Sequence, residues 1–192
     1  MRILELLGRA LRPIRSDETK LTEAMPAFTS RPAIISVSSS VFEPGASIPA
    51  EYSADGAGLF PTISWTGVPH NCASLLLIIE DPDAPKPTPF VHGIFFNIPP
   101  SEIDLPTSAV TSDGLSGEFS SRGVKMGTNS MSKPAYMPPT PPPGHGPHRY
   151  HFQLIALDTT LSFADPPSLS EIKSAIEDHI LAYGELVGIY ER

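Results

Sequence analysis

The sequence contains little cysteine, little charge and no long apolar run. Cys72 is its only cysteine, which excludes an internal disulfide and the class of small secreted domains that disulfides stabilise. Because no stretch of about 18 apolar residues occurs, the sequence predicts no transmembrane helix. From these absences we expect a soluble domain in the cytoplasm.

Positive charge is also scarce. The 192 residues carry 13 lysines and arginines against 21 aspartates and glutamates, for a formal net charge of −8. Nucleic-acid binding requires a basic surface that replaces counterions, so we expect no nucleic-acid partner. The chain can still bury a core, since 40% of its residues are hydrophobic.

Proline is abundant, and its 23 copies exclude a coiled coil or a helical bundle because proline breaks long helices. Short apolar runs separated by turn residues predict a mainly β fold, of the kind seen in all-β sandwiches, from Ile34 onwards. These runs are Ile34–Val37, Ile63–Trp65, Leu75–Glu80, Ile94–Ile98 and Phe152–Leu157. We interpret residues 21–33 as a linker, and the proline-rich stretch Lys133–Pro147 as a rigid loop folded onto the domain.

Residues 1–20 differ in character from the rest of the chain. Ile3, Leu4, Leu7 and Leu11 fall on one face of a helix, and five basic residues accompany them. Such a basic amphipathic helix packs on its own domain or on a partner subunit, contacts an anionic membrane surface, or serves as a targeting segment. We favour packing and expect a homodimer, with peripheral membrane contact as an alternative.

The C-terminal region changes to a helical period. A capping-box spacing begins at Ser168, and the apolar periodicity that follows predicts a C-terminal helix as far as Tyr183. Gly184 and Gly188 are expected to end or interrupt this helix, and Leu186–Tyr190 is a candidate for a final strand.

Three polar residues lie where candidate strands end or begin. Asp81 closes one apolar strand and His92 opens the next, so an antiparallel hairpin would make them neighbours. Alternation along the strands puts His92 in phase with Ile94 and Phe96, and places His148 at the rim of an apolar face as well. A carboxylate beside two imidazoles favours their protonated form. The pattern predicts a small cationic pocket for a phosphate or a carboxylate.

Other interpretations of these residues stay open. A histidine at a strand end is often a structural residue, and two histidines with one carboxylate are chemically suited to a metal but lack local ligand spacing. Hydrolase motifs such as Gly-x-Ser-x-Gly and His-Glu-x-x-His are missing. We interpret Cys72 as a small core residue, and His70 and His145 as exposed loop residues.

Several motifs, in order, make the sequence similar to a known family. They are Phe42-x-x-Gly45-x-x-Ile48-Pro, Asp55-Gly56 before Pro61-x-Ile-x-Trp65, Asp81-Pro-Asp-Ala-Pro85, His92 five residues before Asn97-Ile-Pro, and Pro142-Pro-Gly-His-Gly-Pro-His148-Arg-Tyr150. Over residues 34–192 the chain resembles the phosphatidylethanolamine-binding protein family, and most closely its bacterial-type Raf-kinase-inhibitor-like branch.

This resemblance implies an antiparallel two-sheet β fold with a C-terminal helix and a pocket for phosphate, acetate or a phosphorylethanolamine head group. The residues that it places at the pocket are Asp81, Ala84, Pro85, His92, Pro142, His148 and Tyr150. It also implies cis prolines in the turn that begins at Asp81. We expect a non-enzymatic binding protein without a cofactor or a metal. The alternatives are a kinase or protease inhibitor that acts through protein contacts, and a hydrolase with His92 or His148 as general base.

Two residues depart from the pattern of this branch. Gly93 stands where a bulky aromatic residue is usual, which predicts that the pocket is hollowed out beside it. Pro138 stands where a glycine is expected, so a backbone N–H that could bind an anion is lost.

Overall fold

The computed structural model describes residues 3–111 and 114–192. Within these ranges the helices are α1 (Ile3–Leu11), α2 (Gly117–Ser121) and α3 (Leu169–Ile176). The strands are β1 (Ser36–Ser39), β2 (Ile63–Thr66), β3 (Ser74–Asp81), β4 (Phe90–Ile98), β5 (Asp104–Leu105), β6 (Val110–Thr111), β7 (Gly114–Leu115), β8 (Lys125–Gly127), β9 (His148–Leu157) and β10 (Ile180–Tyr190).

The strands form two principal antiparallel sheets. A five-stranded sheet has the order β10-β9-β3-β4-β8, and a three-stranded sheet has the order β1-β2-β5, with β6 and β7 as a separate hairpin. The prediction of a mainly β, two-sheet fold with an N-terminal and a C-terminal helix is confirmed.

Both faces of the five-stranded sheet are covered. One apolar core fills the space between the two sheets, with Phe60, Trp65 and Phe152 among its members. A second core lies on the opposite face, where α3 contributes Ile172 and Ile176. Because β3 runs through the middle, all eight of its residues are buried, which explains the uninterrupted apolar run from Leu75 to Ile79.

The predicted C-terminal helix begins correctly but is too long. Ser168 and Glu171 form both bonds of a capping box, and α3 then ends at Ile176. Ile180 and Tyr183, which were expected on the helix, belong to β10 and pair with β9. The long ladder along β9 supplies hydrogen bonds that outweigh the helical periodicity of this short segment.

Gly184 and Gly188 lie inside β10, and neither ends a helix. A Cβ atom on Gly184 would overlap the Ile35 carbonyl oxygen, and one on Gly188 would contact the side chains of Phe42 and Ile48 at 2.7 Å. Glycine at these positions allows the chain before β1 and the loop after it to approach β10 closely.

Substitution of Gly184 by alanine is expected to lower the free energy of unfolding by about 2–3 kcal/mol, because the new methyl group displaces the backbone at Ile35. Urea denaturation measures this loss. The matched control is Gly117→Ala on α2, where nothing lies within 4 Å of the new Cβ, and we expect no loss there. Equal stability of both variants would contradict the close approach.

The segment before the sandwich packs on it in two places. Leu21 and Phe28, in the range interpreted as a linker, are buried, and the Phe28 ring meets Tyr183 edge to face at 5.1 Å. Further upstream, α1 packs on its own domain through Gly8, whose missing Cβ leaves room for the Pro143 carbonyl.

The apolar face of α1 points away from the domain. Ile3, Leu4 and Leu7 are 81%, 64% and 59% exposed, although the sequence pattern marks them as the packing face. The close backbone contact at Gly8 sets the orientation of the helix instead. Among the described residues, no helix has the length and apolarity that a membrane crossing requires.

Candidate functional site

Three strands of the central sheet bring the site together at one end. Asp81 is the last residue of β3, His148 is the first of β9, and His92 is the third of β4. Antiparallel pairing makes these ends neighbours. Asp81 Oδ2 lies 2.7 Å from His148 Nδ1 and 3.9 Å from His92 Nε2, and all three side chains are buried.

A β-bulge turns His92 towards the site. Ile79 pairs with Gly93 and Glu80 pairs with Val91, so His92 has no partner on β3. Simple alternation would place His92 on the α3 side with Ile94, and that sequence prediction is wrong. The extra residue shifts the phase of the strand, and His92 therefore lies on the same face as Asp81.

The ring of His92 has one engaged and one available nitrogen. Its Nδ1 lies 2.7 Å from the Met137 carbonyl oxygen, which only accepts, so Nδ1 carries the proton. The other nitrogen, Nε2, lies 3.9 Å from Asp81 Oδ2, beyond hydrogen-bond distance. The Tyr150 ring meets the imidazole edge to face at 5.1 Å and holds its orientation.

His145 joins the site from the proline-rich loop and is fully buried, so the prediction of an exposed loop residue is wrong. Its Nδ1 lies 2.7 Å from His148 Nε2, and its Nε2 lies 2.9 Å from the Leu11 carbonyl at the end of α1. The loop folds beneath α1, and this contact over 134 residues of sequence is not visible in the local pattern.

The hydrogen bonds fix the charge of this histidine pair. The Leu11 carbonyl can only accept a hydrogen bond, so His145 Nε2 carries a proton. The Asp81 carboxylate also accepts, so His148 Nδ1 carries a proton as well. The bond between the rings needs a third proton. Two neutral imidazoles supply only two protons, so the pair carries one positive charge next to Asp81.

The pKa values of the acidic and basic partners agree with this arrangement. Burial and the neighbouring His148 lower the pKa of His145. Burial alone would raise the pKa of Asp81, but the hydrogen bond from His148 and the electrostatic influence of the two nearby histidines outweigh it and bring this pKa down to about 2. Asp81 is therefore ionised at neutral pH.

These groups lie at the base of a cavity of about 220 Å³, room for about seven water molecules at ~30 Å³ each. The cavity brings together all seven residues that we named from the sequence. The lining consists of Asp81, Ala84, Pro85, Lys86, Phe90, His92, Met137, Thr140, Pro141, Pro142, His148 and Tyr150. Lys86 was missed, although it stands in the proline-rich turn after Asp81 and would have been found by extending that motif.

Three further sequence predictions about the site can be compared with the structure. Gly93 does not hollow out the cavity, because the rings of Phe95 and Tyr136 fill the space beside it. Pro138 lies against Gly58 and outside the lining of the cavity. The described residues contain no cis peptide bond, so the turn from Asp81 to Pro85 is trans throughout.

Asp83 fastens the turn that carries the site. Its carboxylate accepts hydrogen bonds from the Arg149 side chain at 2.8 and 2.9 Å and forms an ion pair with Arg15 at 2.6 Å. Burial would raise the pKa of this buried carboxyl, but the two guanidinium groups hold it below its usual value. The segment after α1 is thereby tied to the rim of the cavity.

Several known proteins are similar to this chain in sequence or in structure. A UPF0098 protein of Pyrococcus horikoshii is 39% identical over 165 residues, which cover 80% of this chain and 75% of the relative. The crystal structure of the phosphatidylethanolamine-binding protein homologue CT736 of Chlamydia trachomatis shares 33% identity at a TM-score of 0.72, over 82% of this chain and 97% of that one.

A third relative spans the whole chain. Phomoidride biosynthesis cluster protein B, from a fungal species, is 34% identical over 199 residues, which cover 100% of this chain and 95% of the relative. The family model described as phosphatidylethanolamine-binding protein matches residues 38–191. With the two-sheet fold and the cavity at the end of β3, β4 and β9, the match assigns this chain to the phosphatidylethanolamine-binding protein family.

Proposed function

We propose that the chain is a non-enzymatic binding protein whose cavity takes a small anion, such as the phosphoryl group of a phosphorylated head group. The observation that carries the proposal is the hydrogen-bonded pair of His145 and His148, whose one positive charge offsets the ionised Asp81 at a largely apolar cavity. An anion in this cavity therefore meets no net negative charge, and little water screens its interaction with the donors there.

The cavity also offers donors to an anion. His92 Nε2, once protonated, faces the space in front of Asp81, and the buried hydroxyl of Tyr150 has no hydrogen-bond partner of standard geometry among the described residues. Lys86 is exposed and lines the cavity with its ammonium group over the Phe90 ring. Both nitrogens of His148 are engaged within the protein, so this residue would contribute charge and not a direct hydrogen bond.

The same residues favour binding over catalysis. A hydrolase that forms a covalent intermediate on serine or cysteine needs such a nucleophile next to its base, and the described lining holds neither residue. The hydroxyl of Thr140 donates to the Pro138 carbonyl at 2.9 Å and does not contact an imidazole. With a volume below the ~300–1,000 Å³ of drug-sized sites, the cavity suits a head group and not an acyl chain.

Calorimetric titration with inorganic phosphate and with phosphorylethanolamine tests the proposal. We expect saturable binding to the unaltered chain, and affinity at least about tenfold lower in His92→Ala, because a charged hydrogen bond is worth about 1.5–3 kcal/mol. The matched control is His70→Ala, an exposed histidine outside the cavity, which should bind as before. No saturable binding, or equal affinity in His92→Ala, would contradict the proposal.

A second candidate rests on the fungal relative. That protein is named for a biosynthesis cluster and matches this chain along its whole length, including the segment that caps His145. By this analogy the cavity would hold a carboxylated intermediate of a biosynthetic route. Acetate and succinate in the same titration distinguish the two candidates, because tighter binding of a carboxylate than of either phosphate would favour the second.

The homodimer expected from the sequence stays a prediction. The exposed side chains of Leu4 and Leu7 on α1 offer an apolar surface for such contact. If α1 mediates assembly, the double variant Leu4→Ser, Leu7→Ser should have half the solution mass of the unaltered chain in light scattering. An unchanged mass of an assembled form would exclude α1 as the interface.

A further inference from the structure

A second group of ionisable side chains lies on the face of the central sheet opposite the anion cavity. Glu23, His151 and Glu185 each direct a metal-ligating atom to one place, and these atoms all lie within 4.8 Å of one another. The shortest contact joins His151 Nδ1 and Glu185 Oε1 at 2.6 Å.

Three different elements position this group. His151 lies on β9 three residues after His148, so that the alternation of the strand directs it to the other face. Glu185 lies on β10 and pairs with Gln153 on β9. A short 3-10 turn over Thr22–Ala24 supplies Glu23, and its backbone N–H donates to Gln153 Oε1 at 2.8 Å.

Buried atoms without partners are concentrated here. Five buried side-chain nitrogen or oxygen atoms in the described residues lack a hydrogen-bond partner, and three of them are Thr22 Oγ1, Glu80 Oε1 and His151 Nε2. Glu80 and His151 are directly paired on β3 and β9, so their side chains leave the same face of the sheet. Buried polar atoms normally find a partner, and such a concentration indicates a ligand that binds at this place.

The charges also favour a cation. The group contains three carboxylates, those of Glu23, Glu80 and Glu185, and only two basic side chains, those of His151 and Lys173. Glu80 is fully buried, and His151 is only 8% exposed.

We propose that Glu23, His151 and Glu185 bind a divalent transition-metal cation of the zinc type. One imidazole and two carboxylates are a donor set that suits such an ion. Glu80, directly beside His151, adds a buried negative charge behind the ligands. Lys173 does not compete for the ligands, since its Nζ donates to the Lys20 carbonyl at 2.8 Å. The site is separate from the anion cavity and does not depend on the function proposed for it.

Titration of the untagged, chelator-treated chain with Zn²⁺ in a calorimeter tests this site, with visible absorption of Co²⁺ as a second signal. We expect one equivalent of Zn²⁺, with affinity at least tenfold lower in His151→Gln and in Glu23→Gln. Because Glu23 lies on a partly exposed turn, its variant should fold even where His151→Gln does not. Circular dichroism of each variant checks the fold.

Two controls separate this site from other histidine–carboxylate pairs. His179→Gln removes an exposed pair, His179 Nδ1 to Asp158 Oδ1 at 2.7 Å, and should leave Zn²⁺ binding unchanged. The phosphate titration curve of Glu23→Gln should match that of the unaltered chain, whether or not the unaltered chain binds phosphate. The absence of a stoichiometric Zn²⁺ site, or a site that survives in both Glu23→Gln and His151→Gln, would overturn the inference. So would Zn²⁺ binding that is lost in His92→Ala and kept in His151→Gln.

Discussion

Replacement of Asp81 by asparagine is expected to lower the free energy of unfolding by about 3–5 kcal/mol at pH 7. Asp81 is buried and holds the positive charge of His148 across 2.7 Å. Without the carboxylate, His148 must either remain an unpaired buried cation or lose the proton that bonds it to its neighbours. Either outcome is costly, because the interior provides no water to replace the lost partner. Urea denaturation measures the difference.

The same residue predicts how stability depends on acid. Because the pKa of Asp81 in the folded protein, about 2, lies below the ordinary value of 3.8, its ionised form stabilises the fold above about pH 4. This contribution, about 2 kcal/mol, is lost as the pH falls from about 4 to 2. Asp81→Asn should lack this part of the acid transition, so the difference in stability between the two proteins should shrink by about 2 kcal/mol at low pH.

An exposed pair of the same kind provides the control. Asp158 lies 2.7 Å from His179, the same distance as in the buried pair, but both side chains are nearly half exposed. Asp158→Asn should therefore cost less than about 1 kcal/mol. A similar loss in both variants would show that burial does not determine the strength of the Asp81 pair.

Replacement of His145 by alanine is expected to cost about 3 kcal/mol and to weaken phosphate binding about tenfold. The loss of stability follows because the Leu11 carbonyl and His148 Nε2 both lose a partner, and a cavity opens at a fully buried position. We expect the loss of affinity because His148 no longer shares with His145 the proton that gives the two histidines their positive charge.

Two measurements separate these effects. Urea denaturation gives the stability, and phosphate titration well below the unfolding transition gives the affinity of the folded variant. Limited proteolysis should cut faster near Arg12 and Arg15 once α1 has lost its contact with the loop, since both side chains bond to that loop. His179→Ala is the exposed control. An unchanged affinity in a destabilised His145→Ala would show that His145 serves only to hold the loop.

Three of the cavity residues, Asp81, His92 and His148, could be predicted from the local pattern, because strand ends and turns carry strong signals, whereas only the family resemblance implies the other four. Asp81 and His148 stand at the boundary between an apolar run and a proline-rich turn, and a hairpin brings such boundaries together. The orientation of His92 could not be predicted. A single extra residue in β4 changes which face each side chain occupies, and nothing in the apolar pattern marks its position.

Long-range contacts explain the remaining errors. His145 has glycines on both sides and therefore has the composition of an exposed loop, yet α1 covers it from the other end of the sequence. Ile180 and Tyr183 have helical spacing, but pairing with β9 determines their conformation. In both cases a partner more than 20 residues away decides the outcome, and local propensity carries no information about that partner.

The proline-rich loop has a consequence for the order of folding. Gly144 accepts a hydrogen bond from Arg12 through its carbonyl and donates one to the Arg192 carbonyl at 2.8 Å, so the segment after α1 and the segment after β10 converge on one glycine. A chain emerging from the ribosome can form the hairpin of β3 and β4 early, but it lacks this last contact of the loop until residue 192 has been made. The proline-rich loop is therefore among the last parts of the domain to reach its final contacts.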